Sequence, residues 1–201
     1  NLADIAESPR YTFVQGDITD LDLLNEVMKT HGITHVINFA AETHVDRSIH
    51  GGCKDFILTN TLGVQMILDA VRSNNIQKFV NVSTDEVYGS LELESPDRFT
   101  EDTPITPCMP YAAADAGCYL MFRAYYGPYQ FPEKLIPFFV FKLLKGEQVP
   151  VYGDGLNVRD WIHVVDHAKA LSLLLEKGVA GEIYNIGVDN ERNNLEITRL
   201  I

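Results

Sequence analysis

Short runs of β-branched and aromatic residues alternate with longer amphipathic stretches along this chain, and no other feature constrains its fold as strongly. TFVQGD (residues 12–17), THVINFAA (34–41), KFVNVST (78–84), VPVYG (149–153) and IYNIG (183–187) read as strands. Helical periodicity covers residues 20–31, 55–74, 111–126, 133–146 and 165–177. Asp20 and the proline-rich PITPCMP mark helix starts, and Gly146 marks an end. Strands joined by crossover helices predict an α/β fold with a parallel sheet, whose ligands sit at the carboxyl ends of the strands. The alternation breaks once: no strand is expected between the helix starting at Tyr111 and the one starting near Glu133. The polar stretch 89–107 is the one extended irregular loop, of a length that is often functional.

The chain has 201 residues, 46% of them hydrophobic, enough for one domain and part of another. Its formal net charge of -12 disfavours nucleic acid and anionic membrane surfaces as partners, so an anionic substrate needs a local basic pocket. No apolar run approaches the roughly 18 residues of a membrane span, and no basic, apolar and small-residue leader opens the sequence, so a cytoplasmic setting is the expectation. Cys53, Cys108 and Cys118 are sparse and lack CxxC spacing, which argues against a disulfide framework or a zinc ribbon. The sequence begins at Asn1 and stops inside the amphipathic NNLEITRLI, the pattern of a helix cut short, so it reads as a piece of something larger.

Several groups of residues are suited to chemistry. FVNVSTDEVYGS is an apolar strand that delivers Thr84, Asp85 and Glu86 at its carboxyl tip. Two adjacent carboxylates there either form a solvated acidic turn or serve as a general acid beside a general base. Tyr111, at a helix start, is either a packed tyrosine or a phenolate base, and the second role needs a nearby cation. A lysine one helical turn later would supply it, but position 115 is aspartate. Asp17 and Ile18 suit an adenine, carboxylate to amino group and side chain over the ring, and small Ala40 and Ala41 allow close approach to the backbone. Lys134 and Arg159 are either surface salt-bridge partners, Arg159 with Asp160 for example, or phosphate ligands, with Tyr152 and Asn194 as polar neighbours. His163 and His167 have metal-ligand spacing, but no third ligand is evident, so no metal is expected.

Taken together, AAETHVDRSI, STDEVYG, YGPYQFPEKLIP, VYGDG, RDWIHVVDHAKAL, GEIYNIG and NERNNLEI resemble the nucleotide-sugar 4,6-dehydratases of the extended short-chain dehydrogenase/reductase superfamily. The resemblance implies an α/β fold with a Rossmann-type doubly wound parallel sheet over residues 1–126. A mainly substrate-binding, smaller sugar-nucleotide domain would follow over 127–201, with 149–164 and 183–187 interleaved with the Rossmann part. It implies NAD as cofactor, a homodimer, and dehydration of a nucleotide sugar, dTDP-glucose first, in deoxysugar biosynthesis such as that of rhamnose. A UDP- or GDP-sugar enzyme and an inactive sugar-nucleotide-binding paralogue are the alternatives. By the same resemblance Tyr111 takes the C4 hydroxyl proton, Thr84 polarises the C4 oxygen, Glu86 takes the C5 proton and Asp85 protonates the departing C6 hydroxyl. Asp17, Ile18, Phe39, Ala40, Ala41, Thr59 and Tyr111 would meet the cofactor. Thr43, Thr84, Lys134, Leu135, Pro150, Tyr152, Arg159 and Asn194 would hold the substrate.

The resemblance also implies segments that this sequence does not contain. These are a first strand with its glycine-rich turn, a second strand that separates NAD from NADP, a strand and loop after RAYY, and a closing C-terminal part. Asp115 stands where it implies a lysine, a charge reversal that would raise the Tyr111 pKa, and Tyr119 is a second altered position on that helix.

Overall fold

The computed structural model describes residues 2–44, 52–91, 95, 97–107, 113–114, 124–126 (backbone only), 132, 134–151 and 153–201. Tyr111, Asp115, Tyr119 and Tyr152 lie outside them.

Helix α1 (Leu21–Thr30) begins where the Asp20 carboxylate accepts the Leu23 N–H at 3.0 Å, and Lys29 lies in its last turn, where its charge suits the helix dipole. Strand β1 (His35–Asn38) follows. The next helical stretch is continuous but not uniform: α2 (Lys54–Phe56) passes into a π-helical segment (Ile57–Gly63) and then α3 (Val64–Ser73). Met28 of α1 and Phe56, Val64, Ile67 and Ala70 of this stretch are buried. The Asn74 side chain donates to Asn25 at 2.7 Å and ties the end of α3 to α1. Strand β2 (Lys78–Asn81) pairs in parallel with β1, Val36 opposite Phe79 and Asn38 opposite Asn81, with α2 and α3 in the crossover.

Residues 84–89 form the site turn described below. Strand β3 (Ala124–Tyr126) pairs in parallel with β4 (Val158–His163), which pairs antiparallel with β5 (Glu191–Asn193). Between them lies α4 (Leu135–Leu144). Helix α5 (Val164–Lys177) follows β4, capped by the His163 ring, which accepts the Val165 N–H, and buries His167 and Leu171. Trp161 and Ile162 of β4 are buried, and the Trp161 indole donates to the Arg192 carbonyl. Helix α6 (Asn194–Leu200) opens with a reciprocal box between Asn193 and Glu196.

The α/β expectation and its parallel pairing hold, and helices α1, α4 and α5 fall close to their predicted spans. Three predicted strands are not strands. Residues 12–17 have no ladder partner among the described residues and leave Phe13 70% exposed. The described residues of 149–153 are irregular, and the turn beyond them spends the Gly155 and Asn157 carbonyls on α6. In 183–187 the Asn185 N–H donates to the Glu101 carboxylate and not to a neighbouring strand. Conversely, β3 lies where the sequence predicts the end of a helix and no strand. A run of β-branched residues expresses a preference, and the partner strand decides whether a ladder forms.

Candidate active site

Beyond β2 the chain turns into a single 3₁₀ turn, Asp85–Tyr88. Thr84 caps it: its buried hydroxyl oxygen accepts the Glu86 N–H at 3.2 Å, which sets Glu86 beside the strand tip. Val87 and Tyr88 anchor the turn in the interior, with the Tyr88 ring 5.4 Å from Phe99 and its carbonyl bound by the Thr106 hydroxyl at 2.8 Å. Gly89, at φ 101, takes the left-handed exit that a side chain would resist. The two carboxylates therefore stand on a rigid base.

Glu86 is mostly buried. Its Oε1 lies 3.7 Å from the Arg159 guanidinium, and its shielded Oε2 has no hydrogen-bond partner among the described residues. Burial pushes its carboxyl above the ordinary range; Arg159 opposes this, Asp85 adds to it, and Lys134 opposes it again. A carboxylate in that condition is a stronger proton acceptor than one in water. The carboxylate of Asp160, the neighbour of Arg159, accepts the Val188 and Asn190 N–H groups at 2.9 and 3.0 Å. The β4–β5 register sets Arg159 opposite Arg192, so two guanidinium side chains share one face of the sheet.

A second group lies along α4 and α6. Leu135, Pro150 and Asn194 line a cavity of about 300 Å³ together with His44, Phe138, Phe139, Val151 and Thr198. Leu135 is the first residue of α4 and Asn194 the first of α6, while Lys134 is the N-cap of α4, so one chain link joins this cavity to the surroundings of Glu86. Thr43 precedes His44 and is half-buried. The sequence reading passed over His44, whose Nδ1 is buried without a hydrogen-bond partner among the described residues; its place directly after Thr43 in AAETHVD was the available signal.

A third group lies at the end of β1. Asn38 donates to Asn81 at 2.7 Å across the strand ends and accepts the Ala40 N–H at 3.0 Å, turning Phe39, Ala40 and Ala41 out of the sheet. Phe39 is 59% exposed. Buried Asn60 clamps the continuation, accepting the Glu42 N–H and donating to the Glu42 carbonyl at 2.8 and 2.9 Å. The π-helical segment carries Asn60 and half-buried Thr59. Such single widened turns are frequent at functional sites. Ile18 lies so close to Gly63 of that segment that a β-carbon there would come within 2.5 Å of it. Asp17 accepts both the backbone N–H and the hydroxyl of Thr19 at 2.8 Å, which hold its carboxyl below the ordinary range. Ile18 thus packs against the helical segment that carries Thr59, while Phe39, Ala40 and Ala41 leave the end of β1. An exposed apolar ring, small side chains at a strand end and a carboxylate that accepts hydrogen bonds are groups that suit a dinucleotide's adenosine half.

The model of the GDP-mannose 4,6 dehydratase family matches residues 1–201. A dTDP-glucose 4,6-dehydratase of Actinoplanes sp. is 46% identical over the whole chain, which spans 66% of that protein. The low-salt glycan biosynthesis protein Agl12 of Haloferax volcanii is 44% identical, with 68% of its length covered. Among solved structures, DesIV, a dTDP-glucose 4,6-dehydratase from Streptomyces venezuelae with NAD and dTDP bound, superposes with a TM-score of 0.91 at 44% identity, covering 99% of this chain and 65% of that one. The chain therefore spans just under two thirds of several of these relatives, and the alignment to the Actinoplanes protein runs over 217 residues against the 201 present here. On the whole-length match and these likenesses, the chain belongs to the GDP-mannose 4,6 dehydratase family, with a Rossmann-type α/β fold.

Proposed function

We propose that this chain is the larger part of an NAD-dependent enzyme that dehydrates dTDP-glucose to dTDP-4-keto-6-deoxyglucose, a hydro-lyase of deoxysugar biosynthesis such as that of rhamnose. The observation that carries the reading is Glu86: a mostly buried carboxylate with a raised pKa, locked by Thr84 beside Asp85 at a strand tip. The likeness to dTDP-glucose 4,6-dehydratases at 41–46% identity supports the nucleotide and the sugar.

NAD+, when bound, supplies a hydride acceptor for C4 and a hydride donor for C6. The protein moves the protons. Tyr111 takes the proton of the C4 hydroxyl and Thr84 holds the C4 oxygen; Glu86 takes the proton at C5, made acidic by the neighbouring ketone; Asp85 protonates the C6 hydroxyl, which leaves as water. Adjacent carboxylates on one rigid turn give the elimination a base and an acid in fixed relation. Asp17, Ile18, Phe39, Ala40, Ala41 and Thr59 would hold NAD, while Thr43, Lys134, Leu135, Pro150, Tyr152, Arg159 and Asn194 would hold the sugar nucleotide.

The division into a cofactor domain (1–126) and a mainly substrate-binding one (127–201) belongs to this reading, as do a cytoplasmic setting and a homodimer. No described helix is long and apolar enough to cross a membrane. The exposed Ile57, Leu58, Leu62 and Leu68 on the helical stretch after β1 supply apolar surface for pairing. The test is mass spectrometry after incubation with NAD+ and each of dTDP-glucose, UDP-glucose and GDP-mannose, where loss of one water from the first alone is expected.

Asp115 favours a second reading, an inactive paralogue that binds a sugar nucleotide. A large gain in turnover for Asp115→Lys would restrict the defect to Tyr111 activation, whereas no gain with binding intact would favour the paralogue.

A further inference from the structure

The Arg159–Glu86 contact sets two assignments against each other: one residue would hold the substrate's diphosphate, the other would be the base. We infer that Arg159 is a positioning residue that alternates between two anions, pairing with Glu86 while the site is empty and releasing it when a nucleoside diphosphate arrives. The inference rests on the sugar-nucleotide reading above.

Four observations carry it. The guanidinium Nη2 stands 3.7 Å from Glu86 Oε1, beyond the 2.7–2.9 Å of a charge-assisted hydrogen bond, so the pair is loose. The Arg159 side chain is 48% exposed against 21% for Glu86, so the cation can swing outward while the carboxylate stays sheltered. On its own strand Asp160 is engaged by the Val188 and Asn190 N–H groups, and the guanidinium spends Nη1 on the Val158 carbonyl at 2.8 Å, which turns Nη2 toward the anion. Arg192, opposite in register on the same face, repels it and favours whichever anion is nearest. A diphosphate carries more charge than one carboxylate and matches the planar guanidinium fork in a bidentate way.

The groups acting on Glu86 are Arg159 from β4, Asp85 from its own turn and Lys134 at the start of α4. Removing Arg159 takes away the largest opposing charge and leaves burial and Asp85 to raise the carboxyl further. The base would then gain proton affinity when, and only when, a substrate is seated.

The consequence is measurable without turnover. If binding raises the Glu86 pKa, binding takes up a proton, and the affinity for dTDP rises as pH falls, by up to tenfold for each unit of the rise. Glu86→Gln keeps the shape of the side chain and removes the competing charge, so it should bind dTDP more tightly than the wild type at neutral pH and lose the pH dependence. Simple repulsion between Glu86 and the diphosphate would give the same sign, and Arg159→Gln separates the two. In that background Glu86→Gln should no longer tighten dTDP binding, whereas repulsion alone would leave the gain intact.

Calorimetric titration of the NAD-loaded protein with dTDP across pH, for the wild type, both single variants and the double variant, reads all of this. ¹³C NMR titration of the Glu86 carboxyl with and without dTDP gives an independent reading on the wild type alone, and a carboxyl pKa that rises on binding is the expected result. If dTDP binds but neither its pH dependence nor the Glu86 titration changes, the alternation is overturned and the sugar-nucleotide reading stands. If dTDP does not bind the wild type, both fall.

Discussion

In the proposed mechanism Glu86 is the base, and it concentrates the chemistry at the residue scale. A base works only when ionised, and a pKa raised by burial moves the acid limb of the rate profile upward, so dehydration should fall as pH drops through a value above that of an ordinary glutamate. Glu86→Gln should lower kcat by about 10²–10⁴-fold and abolish that limb in a pH–rate measurement. The same shift has a cost for stability. A carboxyl whose folded pKa is raised favours the fold in its protonated form, below the unfolded value, and that advantage is lost as pH rises through the folded value. Glu86→Gln should accordingly melt higher than the wild type at neutral pH, and the difference should shrink toward acid. Asn60 illustrates a purely architectural residue: Asn60→Ala removes both bonds to the Glu42 backbone and should cost about 1–3 kcal/mol in thermal or denaturant unfolding. The Thr84–Asp85–Glu86 group was legible because a strand followed by two carboxylates is a local pattern. The Glu86–Arg159 contact and the Asn60 clamp were not, because each joins residues far apart in sequence whose meeting depends on the packed fold.

At the scale of elements, the helices were easier to read than the strands. Asp20 at the start of α1 and the periodic apolar residues of α1 and α5 are signals contained within each helix. A strand's signal is shared with its partner. Glu191–Asn193 is polar and shows no strand preference, yet it pairs with β4 because the Asp160 side chain draws residues 188–190 alongside. The π-helical segment was also invisible, since periodicity alone does not distinguish one widened turn within a helix running from Lys54 to Ser73. Its role is testable through Gly63, where a side chain would collide with Ile18. Gly63→Val should displace Ile18 and weaken NAD binding, with a smaller effect on dTDP binding, measured by titrating each ligand separately.

For the whole molecule, the proposal joins a cofactor edge at β1, a catalytic turn at β2 and a substrate cavity between α4 and α6. If the proposed homodimer pairs through the apolar residues exposed on the helical stretch after β1, Leu58→Glu combined with Leu62→Glu should yield a monomer in sedimentation velocity. The family and the α/β class were legible because the motifs span nearly the whole chain in order; the assembly was not, because apolar helix surface states that something can pack there without naming it. The central claim is that proton removal at C5 and loss of the C6 hydroxyl occur within one bound sugar, with the hydride kept in the site. Incubating the protein with NAD+ and dTDP-glucose deuterated at C4 tests it most directly. The account predicts a product lighter by one water that carries the deuterium at C6. Unchanged substrate, or a dehydrated product without deuterium at C6, would contradict it.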